Sequence, residues 1–89
     1  MKTFNSLVFK PHANRSMGFD ARAKMNFKNG YGISVITGSA AYTSGDDSYE
    51  VAVLHNGSIT YATPITDDVL GYQSSSQVTE IMKQIQKLN

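Results

Sequence analysis

Apolar and polar residues alternate without a break from Ala21 to Phe27. Ala21, Ala23, Met25 and Phe27 share one face, and Arg22, Lys24 and Asn26 share the other. A period of two predicts a half-buried β-strand. After Lys28-Asn29-Gly30 the alternation resumes, with Tyr31, Ile33 and Val35 on one face and Gly32, Ser34 and Ile36 opposite. Cross-strand neighbours lie on the same face, so the loop length can be tested against the pattern. A two-residue Asn29-Gly30 turn sets Met25 against Ser34. A three-residue Lys28-Asn29-Gly30 loop sets Phe27 against Tyr31, Met25 against Ile33 and Ala23 against Val35. Only the longer loop gathers the apolar set, which predicts a type I turn followed by Gly30 in the left-handed region as a bulge.

A second hairpin is read in the same way. Tyr49, Val51 and Val53 alternate with Glu50, Ala52 and Leu54, and a three-residue loop His55-Asn56-Gly57 pairs Val53 with Ile59 and Val51 with Tyr61. Gly57 then takes the bulge position. By this reading Tyr31, Tyr49 and Tyr61 lie on the apolar face. Asn5 to Lys10 predicts a short first strand, with Leu7 and Phe9 on one face and Pro11 ending it. The stretches His12 to Gly18 and Thr37 to Ser48 are polar and small, and read as connections. Pro64 ends the strand after Tyr61, and Thr66 is placed to cap one helical turn over Asp67 to Leu70, closed by Gly71.

At the C-terminal end, Val78, Ile81, Met82, Ile85 and Leu88 follow the spacing of one helix face. Ser74 with Gln77 forms a candidate capping box, with Ser75 and Ser76 as alternative caps. Lys83 and Lys87 suit the negative end of the helix dipole. The only large apolar surface for this helix is the inner face of the sheet. The predicted fold is therefore α+β: an antiparallel four- to five-stranded sheet with one C-terminal amphipathic helix packed on one face, as two layers in a single domain over residues 1–89.

At 89 residues, a chain buries only about 60–65% of the surface its unfolded form exposes, which places functional work at the surface. There are no cysteines, which excludes disulfides, thiolate metal sites and cysteine nucleophiles and suits a reducing cytoplasm. The N-terminal residues do not read as a signal peptide, and no segment has the roughly 20 apolar residues of a membrane span. Charge is unevenly placed. Residues 1–30 carry Lys2, Lys10, Arg15, Arg22, Lys24 and Lys28 against Asp20 alone, whereas residues 31–80 carry Asp46, Asp47, Glu50, Asp67, Asp68 and Glu80 with no Lys or Arg.

Candidate chemistry is sparse. His12 and His55 are the only histidines, and neither stands in a motif that pairs it with a nucleophile, so no catalytic residue is assigned and the chain reads as a non-enzyme. The carboxylate pairs Asp46-Asp47 and Asp67-Asp68 lack a calcium-loop pattern, and their simpler roles are turn formation and helix entry, so no metal site or cofactor is assigned. Arg22, Lys24 and Lys28 on an outer strand face are the one argument for nucleic acid. The acidic middle of the chain and its mild net charge of +1 argue against it. Tyr42 and Tyr72 sit in connections beside acidic residues, where aromatic groups make good interface anchors.

Phe27-Lys28-Asn29-Gly30-Tyr31-Gly32-Ile33-Ser34-Val35-Ile36 resembles a block found in a family of small phage and prophage accessory proteins. Tyr49 to Leu54, Thr63 to Tyr72 and the opening Phe9-Lys10-Pro11-His12 fit the same family in order. Tyr61-Ala62-Thr63 departs from it, because an aspartate commonly precedes the Thr-Pro pair. The resemblance implies context rather than chemistry: a protein in the host cell cytoplasm that binds and inhibits or modulates a host macromolecule, such as a defence component. The candidate partner surface is Tyr42, Asp46, Asp47, Asp67, Asp68 and Tyr72, whose acidic loops suit a basic protein surface. The alternative is a small-ligand or nucleotide-sequestering protein built on a homodimer through an edge strand, with Arg15, Arg22 and Lys24 holding phosphate. A virion-associated structural role is a further alternative.

Overall fold

The computed structural model describes residues 1–11, 21–37, 48–66 and 68–88. The order of elements is a 3-10 turn (Phe4–Ser6), then β1 (Lys10–Pro11), β2 (Ala21–Asn26), β3 (Tyr31–Thr37), β4 (Tyr49–His55), β5 (Ser58–Ile59), β6 (Leu70–Gln73) and α1 (Ser75–Gln86). All strand pairs are antiparallel. The sheet runs β1-β2-β3-β4-β5, and β6 also pairs with β4. Both β5 and β6 run antiparallel to β4, one at its C-terminal half and the other at its N-terminal half. They act as one edge strand, interrupted between Ile59 and Leu70. The α+β fold predicted from the pattern is therefore present, with six strands among the described residues rather than four or five, the extra strand arising from this split.

The first hairpin has the predicted register. Met25 is opposite Ile33 and Ala23 opposite Val35. Phe27 N–H donates to the Tyr31 carbonyl at 2.7 Å, Gly30 N–H donates to the Phe27 carbonyl at 3.3 Å, and Gly30 has φ of 87°. The second hairpin differs. Leu54 is opposite Ile59 and His55 opposite Ser58, so the loop is Asn56-Gly57 alone. Asn56 and Gly57 have φ of 53° and 85°, the two left-handed residues of a type I′ turn, whose twist matches that of the flanking strands. The expected pairs Val53–Ile59 and Val51–Tyr61 are not formed; Thr60 N–H donates to the Val53 carbonyl instead. The reason lies in β4. Val51, Ala52, Val53 and Leu54 are all buried, so this strand is apolar on both faces and either register gives it apolar partners.

Two further elements differ from the sequence reading. Residues 5–9 do not form a strand; the chain makes a 3-10 turn and only Lys10 and Pro11 pair with β2. Leu70 does not end a helical turn but begins β6. The capping chemistry anticipated at Thr66 is nevertheless used, in a turn: Thr66 Oγ1 accepts from Asp68 N–H at 3.1 Å and donates to the Asp68 carbonyl at 2.8 Å.

The core lies between the sheet and α1. Ile33, Val35, Val51 and Val53 pack with Val78, Ile81, Met82 and Ile85. Each fully buried side chain of this size contributes about 1.5–3 kcal/mol. Phe4, Phe9 and Tyr49 close one end, with ring centroids 5.1–5.9 Å apart. Helix entry follows the capping box: Ser74 Oγ accepts from Gln77 N–H and Gln77 Oε1 accepts from Ser74 N–H. The N-terminal segment runs along the helix, with Phe4 N–H donating to Thr79 Oγ1 and Lys2 exchanging two hydrogen bonds with the Gln86 amide.

The first hairpin loop also terminates the helix. Asn29 Nδ2 donates to the carbonyls of Ile85 at 2.9 Å and Leu88 at 3.0 Å, while its Oδ1 accepts from Tyr31 N–H. Helix ends leave carbonyls unpaired, and here a loop side chain satisfies them. Asn29→Ala is expected to destabilise the domain by about 1–3 kcal/mol, read as a lower denaturation midpoint. The sharpest local effect is faster amide exchange in the last turn of α1.

Candidate functional site

The candidate partner surface from the sequence falls largely outside the described residues: Tyr42, Asp46, Asp47 and Asp67 are among those not described. Asp68 and Tyr72 are described, and both are exposed. Asp68 is exposed, but its Oδ1 accepts from Val69 N–H at 2.7 Å, so part of the carboxylate serves its own turn. Tyr72 lies in β6 rather than in a connection. It is 60% exposed, and its φ of 56° puts it in the left-handed region. The β4–β6 ladder shifts register there, between the Tyr49–Gln73 and Val51–Leu70 pairs. A bulge re-aims a side chain out of the ladder, and a bulky residue held at positive φ stores about 1–3 kcal/mol of strain.

Tyr72 is not the only apolar group on this margin. Ile59 and Tyr61 are also exposed, and sequence reading had placed Tyr61 inside. The two-residue turn shifts Tyr61 from the β4 partner row to the point where the chain leaves the sheet. Ile59, Tyr61 and Tyr72 thus follow the split β5/β6 edge strand along the length of β4. The exposure of Ile59 and Tyr61 follows from the Asn56-Gly57 dipeptide once its type I′ preference outweighs the facial pattern.

The alternative site is partly assembled. Arg22 and Lys24 project from β2 on the face away from the helix and are exposed; Arg15 lies outside the described residues. Lys24 Nζ donates to the Gly57 carbonyl at 3.3 Å, which carries its side chain across β3 towards the second turn. Lys10, not anticipated, joins them: it is the register partner of Arg22. Its placement was hidden because a long polar connection separates β1 from β2. A groove of about 360 Å³ runs between these residues, with Val8 and Pro11 beside them.

A larger open cleft of about 590 Å³ lies where Lys2, the Lys28-Asn29 loop and Gln86 meet. Its amide groups at Asn29 and Gln86 are engaged in holding the helix end, so it is a seam between elements. His55 stacks on Tyr31 with ring centroids 4.3 Å apart, a packing role at the strand ends. Among the described residues, no group of three or more His, Asp or Glu is placed to hold a metal ion, and no helix is long and apolar enough to cross a membrane.

Comparison with protein-family models, with curated proteins and with solved structures finds no match. The functional reading therefore rests on the chain's own geometry.

Proposed function

We propose that this protein is a non-enzymatic, phage-type accessory protein that acts in the host cytoplasm by occupying the surface of a host protein. The observation that carries the reading is Tyr72, an exposed aromatic ring kept at positive φ on a bulged edge strand. Strain of this kind persists where the surrounding structure enforces it, and it concentrates at binding and switching positions. Exposed tyrosines with an adjacent aliphatic group make the anchors of protein interfaces, because they bury large area with few rotors to freeze. Ile59 and Tyr61 extend the exposed apolar margin along the same edge of β4, and the exposed Asp68 adds an acidic group suited to a basic partner. The contact surface is thereby redrawn from the acidic loops to the β5/β6 margin.

Tyr72→Asn tests the reading cleanly. Asparagine tolerates the left-handed region, so the variant keeps the bulge while losing the ring. Its stability is expected to be no lower than wild type, because asparagine relieves part of the left-handed strain. Affinity for a partner captured from bacterial lysate is expected to fall at least about 30-fold, the effect of losing an interface anchor. Wild-type protein and the Lys83→Gln variant should recover the same partner in stoichiometric amount. If Tyr72→Asn captures it equally well, the edge is not the contact surface.

A further inference from the structure

The outer face of β1 and β2 carries a feature that partner binding at the opposite margin of the sheet does not use. Lys10 and Arg22 are direct partners in the β1–β2 register, and Lys24 follows Arg22 on the same face. Like charges directly opposite one another destabilise a sheet. No carboxylate among the described residues lies within ion-pair distance of Lys10 or Arg22; among those residues the ion pair formed is Lys83 Nζ to Glu80 Oε1, on the helix. Lys10 and Arg22 therefore face the same groove with no ion-pair partner among the described residues, and Lys24 borders it. Such a field is completed by an anion from outside.

Shape and surroundings narrow the anion. The groove volume of about 360 Å³ lies at the lower end of small-ligand sites, which span about 300–1,000 Å³. Arg22 offers a planar fork suited to two phosphate oxygens, and Lys10 offers a point charge. Lys24 instead donates to the Gly57 carbonyl. Val8 and Pro11 give the groove an apolar wall for the uncharged part of a ligand. A long nucleic acid strand fits less well. Among the described residues, no aromatic ring lines the groove for a base to stack on, and stacking is a main source of single-strand affinity. Glu50 also lies on the Arg22–Ile36–Glu50 cross-strand row, where it interrupts a continuous basic track.

We infer that the groove between β1 and β2 binds a compact phosphate-bearing ligand of nucleotide size, with its phosphate between Lys10 and Arg22. The residues named all belong to one copy of the chain, and the site is independent of the partner surface proposed above.

Calorimetric titration at low salt with pyrophosphate, AMP, ATP and a short single-stranded oligonucleotide tests it. Saturable binding of ATP, one per chain, is expected, weakening as ionic strength rises. Arg22→Gln and Lys10→Gln are each expected to weaken it at least about tenfold, the loss of one charge-assisted hydrogen bond. Without ligand, either variant should melt no lower than wild type, because the substitution relieves a like-charge pair. Tyr72→Asn and Lys83→Gln should bind ATP as wild type does. Absence of binding by pyrophosphate, AMP and ATP at millimolar concentration overturns the inference, as does unchanged affinity in Arg22→Gln. Tighter binding of the oligonucleotide than of ATP at equal phosphate concentration would make the face a nucleic acid surface and overturn the compact ligand.

Discussion

Ile85→Ala is expected to remove about 2–5 kcal/mol of stability, the range for deleting a large aliphatic side chain from a packed core. Ile85 is fully buried and packs in the eight-residue cluster that joins α1 to β3 and β4. The loss has two parts: the transfer energy of the deleted carbons and the cavity that remains. Relaxation into that cavity is restricted, because the same turn of helix is pinned from outside by Asn29, which bonds the Ile85 and Leu88 carbonyls. Gln86 holds it on the other side through Lys2. A domain of this length has roughly 4–13 kcal/mol in total at the usual per-residue value. The substitution therefore takes a large fraction of the whole, and at the lower end of that range it unfolds the protein. Urea denaturation followed by circular dichroism reads the effect as a fall in midpoint at unchanged slope. Lys87→Ala, at an exposed position just past the helix, is expected to stay within about 0.5 kcal/mol of wild type. Equal midpoints for Ile85→Ala and Lys87→Ala would mean that α1 does not roof the sheet.

The parts of this fold that could be read in the residues are those where one face is apolar and the other is not. In β2, Arg22, Lys24 and Asn26 leave no doubt about which side faces water, so only one hairpin register keeps Met25 and Ala23 inside. Val78, Ile81, Met82 and Ile85 define the helix for the same reason, and all four are buried. In β4 the discrimination vanishes. Leu54 is as deeply covered as Val53, and the facial argument then chose the wrong partner for Ile59. The local signal at Asn56-Gly57 carried the answer, because two consecutive left-handed residues are what that dipeptide tolerates best. Thr66 and Asp68 show a related ambiguity. Their side-chain bonds to backbone are alike in a helix cap and in a turn, and only the pairing of Leu70 with Val51 decides between them. The candidate sites follow the same division. Arg22 and Lys24 were placed by alternation, whereas Lys10 entered through a strand pairing across a long connection, and Tyr61 and Tyr72 through a turn type and a bulge. Long-range pairing and backbone irregularity leave little trace in a period-two pattern.

Gly32 offers the most direct test of the β2–β3 register on which the inner face depends. Its backbone does not need glycine for φ, unlike Gly30 and Gly57. Space is what it needs. A Cβ at Gly32 would sit 2.5 Å from the Met25 carbonyl oxygen, 2.8 Å from Asn26 Oδ1 and 3.2 Å from Asn26 Cα. The asparagine side chain can turn away, but the carbonyl oxygen and the Cα belong to the neighbouring strand and move only with it. Gly32→Ala is therefore expected to cost about 3 kcal/mol or more, at or above the upper end of ordinary overpacking. The strain falls on the Asn26–Gly32 end of the ladder and reaches the adjoining Met25–Ile33 pair. Gly57→Ala gives the opposite case: the added methyl meets nothing within 4 Å, but φ is 85°, so the expected loss is only about 1–2 kcal/mol from the left-handed backbone. Denaturation midpoints rank the two variants, and amide exchange locates them. Gly32→Ala should lose protection at Met25 and Ile33 in the sheet interior, while Gly57→Ala should lose it at Leu54 and Ile59 beside the second turn. A shorter first loop, with Met25 opposite Ser34, would move Gly32 away from Asn26 and make the alanine nearly neutral; a harmless Gly32→Ala would thus displace the whole apolar face from beneath α1.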